Sequence, residues 1–102
     1  MTLMEMRNVT WQAIETYGVE PQLWVTVEEM SELTKEICKY IRNTNNGKCI
    51  NYDNITTEIA DVHIMLMQLQ QIFGIDDGTL EREVDFKIDR LKKRLNGNGL
   101  SD

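Results

Sequence analysis

One proline, one histidine and two cysteines in 102 residues remove several kinds of protein at the outset. A lone proline, Pro21, suits a mostly helical chain. Cys38 and Cys49 cannot build a disulfide framework, and in a reducing compartment they are free thiols. With only His63 and no Cys-x-x-Cys or His-x-x-x-His pattern, a structural zinc site is disfavoured. No apolar run is long enough to span a bilayer, and the opening MTLMEMRNVT lacks the apolar stretch of a signal peptide. The chain is therefore expected in the cytoplasm, away from membranes, where the sequons at Asn8 and Asn54 have no meaning. Positive charge is also short, with 11 basic against 17 acidic residues and a net charge of −6. Such a balance argues against a nucleic-acid polymer or an anionic membrane as partner. A phosphate ligand needs metal ions or locally placed Lys and Arg to reverse the field.

What remains is an ordinary globular composition, 41% hydrophobic and 27% charged. The length fits one domain, expected over residues 1–95 with a frayed tail at 96–102, and its modest core is open to completion by another subunit. Hydrophobic spacing predicts four helices. The first covers residues 3–16 and stops near Gly18. The second begins at Pro21 and runs to about 43, with Leu23, Trp24, Val27, Met30, Leu33, Ile37, Tyr40 and Ile41 as its apolar stripe. A turn-rich loop from Asn43 to Asp53, reversing at Asn46-Gly47, leads to a third helix that ends at Gly74. After Asp76-Asp77-Gly78-Thr79, Leu80, Val84, Ile88, Leu91 and Leu95 mark the fourth. Strand-like alternation is missing. The fold class is all-α and bundle-like, with two long antiparallel central helices.

The acids fall into a pattern on those helices. At about 100° per residue, Glu29, Glu32 and Glu36 share roughly a 60° arc bordering the apolar stripe of the second helix, whereas Glu28 leans outward. On the third helix Glu58 and Asp61, three apart, share a face at the edge of the stripe made by Val62, Met65, Leu69 and Ile72. Antiparallel packing through these stripes lets the two acidic pairs converge. Four carboxylates so gathered repel, and one takes up a proton unless a cation sits between them. A hard divalent ion with oxygen ligands removes that cost, Mg²⁺ first and Mn²⁺ as a substitute. Either pair alone reads as a solvated helix face; both together make a candidate metal site. A di-iron bundle wants Glu-x-x-His pairs, and Ala60 stands three residues before His63, which projects away from the stripe.

Glu28-Glu29-x-x-Glu32, then 25 residues, then Glu58-x-x-Asp61 closely resembles the MazG-like nucleotide pyrophosphohydrolases. The segments ETYGVEPQLWVTVEEMSELTKEICKY, ITTEIADVHIMLMQL and KIDRLKKRL look like that family's successive helices, across roughly residues 14–95. The resemblance implies hydrolysis of a nucleoside triphosphate to the monophosphate and pyrophosphate, with Mg²⁺ held by Glu29, Glu32, Glu58 and Asp61. Glu28 matches a family Glu to which we assign the orienting of water or ligand. Lys87, Arg90 and Arg94 resemble the family's Lys-x-x-Arg region and become candidate phosphate contacts, although basic residues also suit a helix C-terminus. Gln22 matches a Gln seen before the acidic motif and is a candidate for base or sugar contact. Trp11 and Trp24 fit core packing better than base stacking, and Lys48 is a weak phosphate candidate. Relatives of this size resemble homodimers or homotetramers with sites near subunit interfaces. The rival class is a non-catalytic acidic helical module for oligomerisation or partner binding. Base preference is not legible.

Overall fold

A computed structural model describes residues 1–48 and 52–98; the Cys49 thiol and the last four residues of the tail lie outside the described residues. Four helices follow in order: α1 (Leu3–Tyr17), α2 (Val19–Asn45), α3 (Asp53–Phe73) and α4 (Asp77–Lys93), the last extended by an irregular turn at Arg94–Asn98. The chain is all-α, and no described residue is in a strand.

Local chemistry sets the boundaries. The Thr2 side chain accepts from the Glu5 amide at 3.1 Å and caps α1. Gly18, at φ 96°, is the single residue between α1 and α2, a backbone conformation that a side chain would strain. Its amide donates to the Ile14 carbonyl at 2.8 Å, closing α1. α2 starts at Val19, two residues before the expected Pro21. Proline is tolerated there because first-turn amides have no intrahelical acceptor. α3 ends on Gly74 in the left-handed region, with the Ile75 amide donating to the Gln70 carbonyl at 2.9 Å. Asp76 caps α4 by accepting from the Thr79 amide at 2.7 Å.

α2 and α3 run antiparallel. Gln22 Nε2 donates to Gln68 Oε1 at 2.9 Å, and the Thr26 hydroxyl lies 3.5 Å from Met65 Sδ, so one number rises as the other falls. One run of sheltered positions on α2 is Gln22, Thr26, Glu29, Leu33, Glu36, Tyr40 and Asn43, with Leu23 and Val25 also half-buried near its start, and one on α3 is Ile55, Glu58, Val62, Met65, Leu69 and Ile72. Both follow the alternating four-and-three spacing of a helix–helix seam. This corrects the expected α2 stripe. Leu33 and Tyr40 join the seam, but Trp24, Val27, Met30, Ile37 and Ile41 face outward and stay exposed.

The interior is consequently polar. Ile14 and Met65 are the buried apolar side chains among the described residues, beside Thr10, Gln22, Thr26 and Gln68. Gln71 braces α1 on α3: its Nε2 donates to the Arg7 carbonyl at 2.9 Å, and its Oε1 lies 2.8 Å from the Thr10 hydroxyl. Trp11 and Trp24, expected in the core, are exposed. Among the described residues α4 is anchored at its start, where Arg7 Nη2 donates to Asp77 Oδ2 at 2.6 Å and Gln70 Nε2 to Asp77 Oδ1 at 3.1 Å. Beyond that, no Cα of α4 comes within 8 Å of α1, α2 or α3. The radius of gyration is 17.3 Å, against roughly 13 Å for a compact domain of this length.

Candidate metal centre

Glu29 lies one turn beyond Thr26 on α2, and Asp61 one turn before Met65 on α3. Because Thr26 faces Met65, the antiparallel register brings Glu29 to Asp61, and the i,i+3 spacing places Glu58 on the same face. All three are half-buried, and one carboxylate oxygen from each lies within 4.8 Å of the others. Oxygens on opposite sides of a Mg²⁺ ion stand about 4.2 Å apart. The spacing of the trio is within about half an ångström of what such an ion would require.

The electrostatics agree with the geometry. Desolvation, then a hydrogen bond and repulsion from Asp61, then the charges of Glu58 and Glu32, push the Glu29 carboxyl above its ordinary 4.5. Desolvation, with the fields of Asp61, Glu32 and Glu36, does the same to Glu58, and Lys35 pulls weakly the other way. Glu58 Oε2 is shielded from solvent and has no hydrogen-bond partner. A sheltered carboxylate oxygen without a donor is costly; a cation relieves it.

Glu32 is exposed at the rim of the trio, close enough for its field to reach Glu29 and Glu58. Glu28 is exposed, as the rotation of the helix predicts. Gln22 is buried two turns before Glu29, with its amide committed to Gln68. Lys87 and Arg90 lie on α4 and Arg94 on the turn after it, so the chain does not itself bring these cations to the carboxylates. Sequence reasoning passed over Glu36, which is half-buried in the seam and acts on Glu58. Its signal was its place on the arc of Glu29 and Glu32. Lys48 is exposed, just past the end of α2.

A well-formed concavity lies elsewhere. A groove of about 690 Å³ is lined by Arg7, His63, Met67, Gln70 and Asp77 among others, and by none of the acids of the trio. We place the centre by its chemistry, because bound cations need oxygen donors at short range more than an enclosing cavity. No family model, no curated protein and no solved structure matches the chain.

A pH dependence follows. Glu29 and Glu58 have raised folded-state values, so their contribution is complete below 4.5 and is lost as pH climbs through those values. Asp76, held low by the Thr79 amide and hydroxyl, and Asp77, held low by Arg7 and Gln70, act oppositely: their contribution is present above 3.8 and is lost as pH falls. In EDTA, thermal melts are expected to show greatest stability near pH 4, with a decline toward neutrality. Added Mg²⁺ is expected to remove the decline and leave the acid limb unchanged.

Proposed function

We propose that the chain is a Mg²⁺-dependent nucleoside triphosphate pyrophosphohydrolase of the MazG-like kind, converting a ribo- or deoxyribonucleoside triphosphate and water to the monophosphate and pyrophosphate. The observation that carries this reading is the placing of Glu29 and Glu58 inside the α2–α3 seam, where apolar residues belong. Burying repelling carboxylates costs stability unless they have a partner, and Asp61 and Glu32 complete an oxygen-only donor set suited to a hard divalent ion.

When bound, the ion polarises the phosphate and makes water a better nucleophile at neutral pH. The chain's own residues do the rest. Glu29, Glu58, Asp61 and Glu32 hold the centre, and Glu36 adds negative field behind it. Exposed Glu28, next to Glu29, orients the attacking water or accepts its proton. Lys87, Arg90 and Arg94 are assigned to the phosphates in an assembled homodimer or homotetramer, since α4 projects away from its own centre. The site of action is assigned to the cytoplasm.

A second reading, a non-catalytic acidic helical module, is favoured by one observation: the groove of about 690 Å³ lies apart from the carboxylates. The two separate in one experiment. Purified chain with Mg²⁺ and a panel of ribo- and deoxyribonucleoside triphosphates is expected to release pyrophosphate and monophosphate, falling to background in EDTA. Pyrophosphate release from no member of the panel establishes the second reading.

A further inference from the structure

α4 is the helix that the rest of the chain leaves uncovered. None of its residues is buried. Its apolar positions Leu80, Val84, Ile88 and Leu91, with Leu95 just beyond, repeat at intervals of four, four, three and four and are 41% to 77% exposed. That spacing makes one continuous stripe along a helix. The accessible surface of the chain is 7998 Å², whereas a compact monomer of this mass exposes about 6,000 Å². The excess, about 2,000 Å² per chain, is in the range that obligate dimers bury.

The charges on α4 say what covers it. Residues 76–85 carry five acids and one base, and residues 86–95 five bases and one acid. Helix-dipole preferences account for the first and last turns only; here the division runs the full length. It also holds on each flank of the stripe separately. On one side stand Glu81 and Asp85, then Lys92. On the other stand Glu83, then Lys87 and Arg94. The outer face, opposite the stripe, satisfies itself: Lys93 pairs with Asp89 at 3.2 Å, and the Arg90 guanidinium sits over the Phe86 ring at 5.8 Å.

We propose that α4 pairs antiparallel with α4 of a second copy of this chain about a two-fold axis beside Ile88. This register layers Leu80 on Leu95 of the partner subunit and Val84 on Leu91 of the partner subunit. A two-fold axis makes like flanks meet, so Glu81 and Asp85 face Lys92 of the partner subunit and Glu83 faces Arg94 of the partner subunit. Lys87 meets Lys87 of the partner subunit at the axis, the one like-charge pair this register carries against its three opposite-charge ones. A parallel pair sets acid on acid and base on base, and is rejected by the same charges. The pairing specifies the surface behind the oligomer assigned above; it rests on that part of the reading, and it commits Arg94 to Glu83 of the partner subunit rather than to a phosphate.

The test is sedimentation equilibrium on the full chain, with circular dichroism to check helicity. Wild type is expected to self-associate as a dimer or an even multiple of it. E81K/D85K sets Lys against Lys92 on one flank, twice by symmetry, and is expected to weaken association at least about tenfold. K92E, with acids on that whole flank, weakens it likewise, and mixing the two variants is expected to restore association through heterodimers. Ile88→Asp, at the axis, yields monomers. A wild-type chain that remains monomeric, or association indifferent to both charge variants, overturns the pairing. Pyrophosphate release read on the same samples separates the two claims. An active monomer overturns the α4 pairing and with it the assignment of the α4 cations to phosphates across an oligomer, and an α4-paired dimer without activity overturns the hydrolase reading alone.

Discussion

Asp61→Asn is expected to lower pyrophosphate release by at least about 100-fold, and to do so without unfolding the chain. Asn keeps the size and hydrogen-bonding capacity of Asp but removes one of the three charges that meet between α2 and α3. Asp61 interacts with both other members of the trio, being the hydrogen-bond neighbour of Glu29 and the leading charge acting on Glu58. Its loss therefore weakens the hold on a divalent ion more than the loss of exposed Glu32 or Glu28. The same change relieves repulsion in the metal-free chain. Asp61→Asn is thus expected to melt at or above the wild-type temperature in EDTA and to gain less from Mg²⁺. Activity and metal-free stability moving in opposite directions distinguishes a ligand from a structural acid. Parallel melting curves and a pyrophosphate assay read both. An Asp61→Asn chain with wild-type activity removes Asp61 from the centre.

Ile14→Ala is expected to destabilise the fold by about 2–5 kcal/mol. Ile14 is 4% exposed, and the buried apolar interior among the described residues consists of it and Met65. Little buried apolar side chain is left to fill the space, because the other buried side chains are polar, among them Thr10, bound to Gln71, and Gln22, bound to Gln68. Tyr17→Ala, one turn further along α1 at a side chain 66% exposed, is the control, expected within about 0.5 kcal/mol of wild type. Urea unfolding at fixed protein concentration measures both. Similar midpoints for the two variants show that the α1–α3 contact does not carry the stability assigned to it.

Elements with strong punctuation were legible in the sequence. Gly18, Gly74 and the Asp76–Thr79 cap fixed helix ends that the structure reproduces, and the period of α3 gave its seam. The α2 stripe was misread for a physical reason. Hydrophobicity alone does not mark the packed face here: α2 carries Trp24, Val27, Met30, Ile37 and Ile41 outward and packs α3 through Gln22, Thr26 and Glu29 together with Leu33 and Tyr40. Sequence periodicity finds an apolar face but not which neighbour covers it, and here the outward face stays exposed among the described residues. The same error placed Glu29 and Glu58 at the edge of the core rather than in the seam. Their convergence with Asp61 survived, because it depends on helical rotation and antiparallel direction more than on which stripe is buried. Glu36 was on the arc but had no matching acid in either motif, so spacing alone gave it no weight. For Lys87, Arg90 and Arg94 the limit is topological: a pattern along one helix does not say where that helix points.

The central claim is that Glu29, Glu58 and Asp61 together hold a divalent cation. It is tested most directly by titrating Mn²⁺ into metal-free chain at neutral pH and following the free ion by its paramagnetic resonance signal. Wild type is expected to deplete the free-ion signal, Mg²⁺ to restore it by competition, and Glu58→Gln to weaken binding by at least about tenfold. A wild-type chain that leaves Mn²⁺ free, or a Glu58→Gln chain that binds it equally well, contradicts the account.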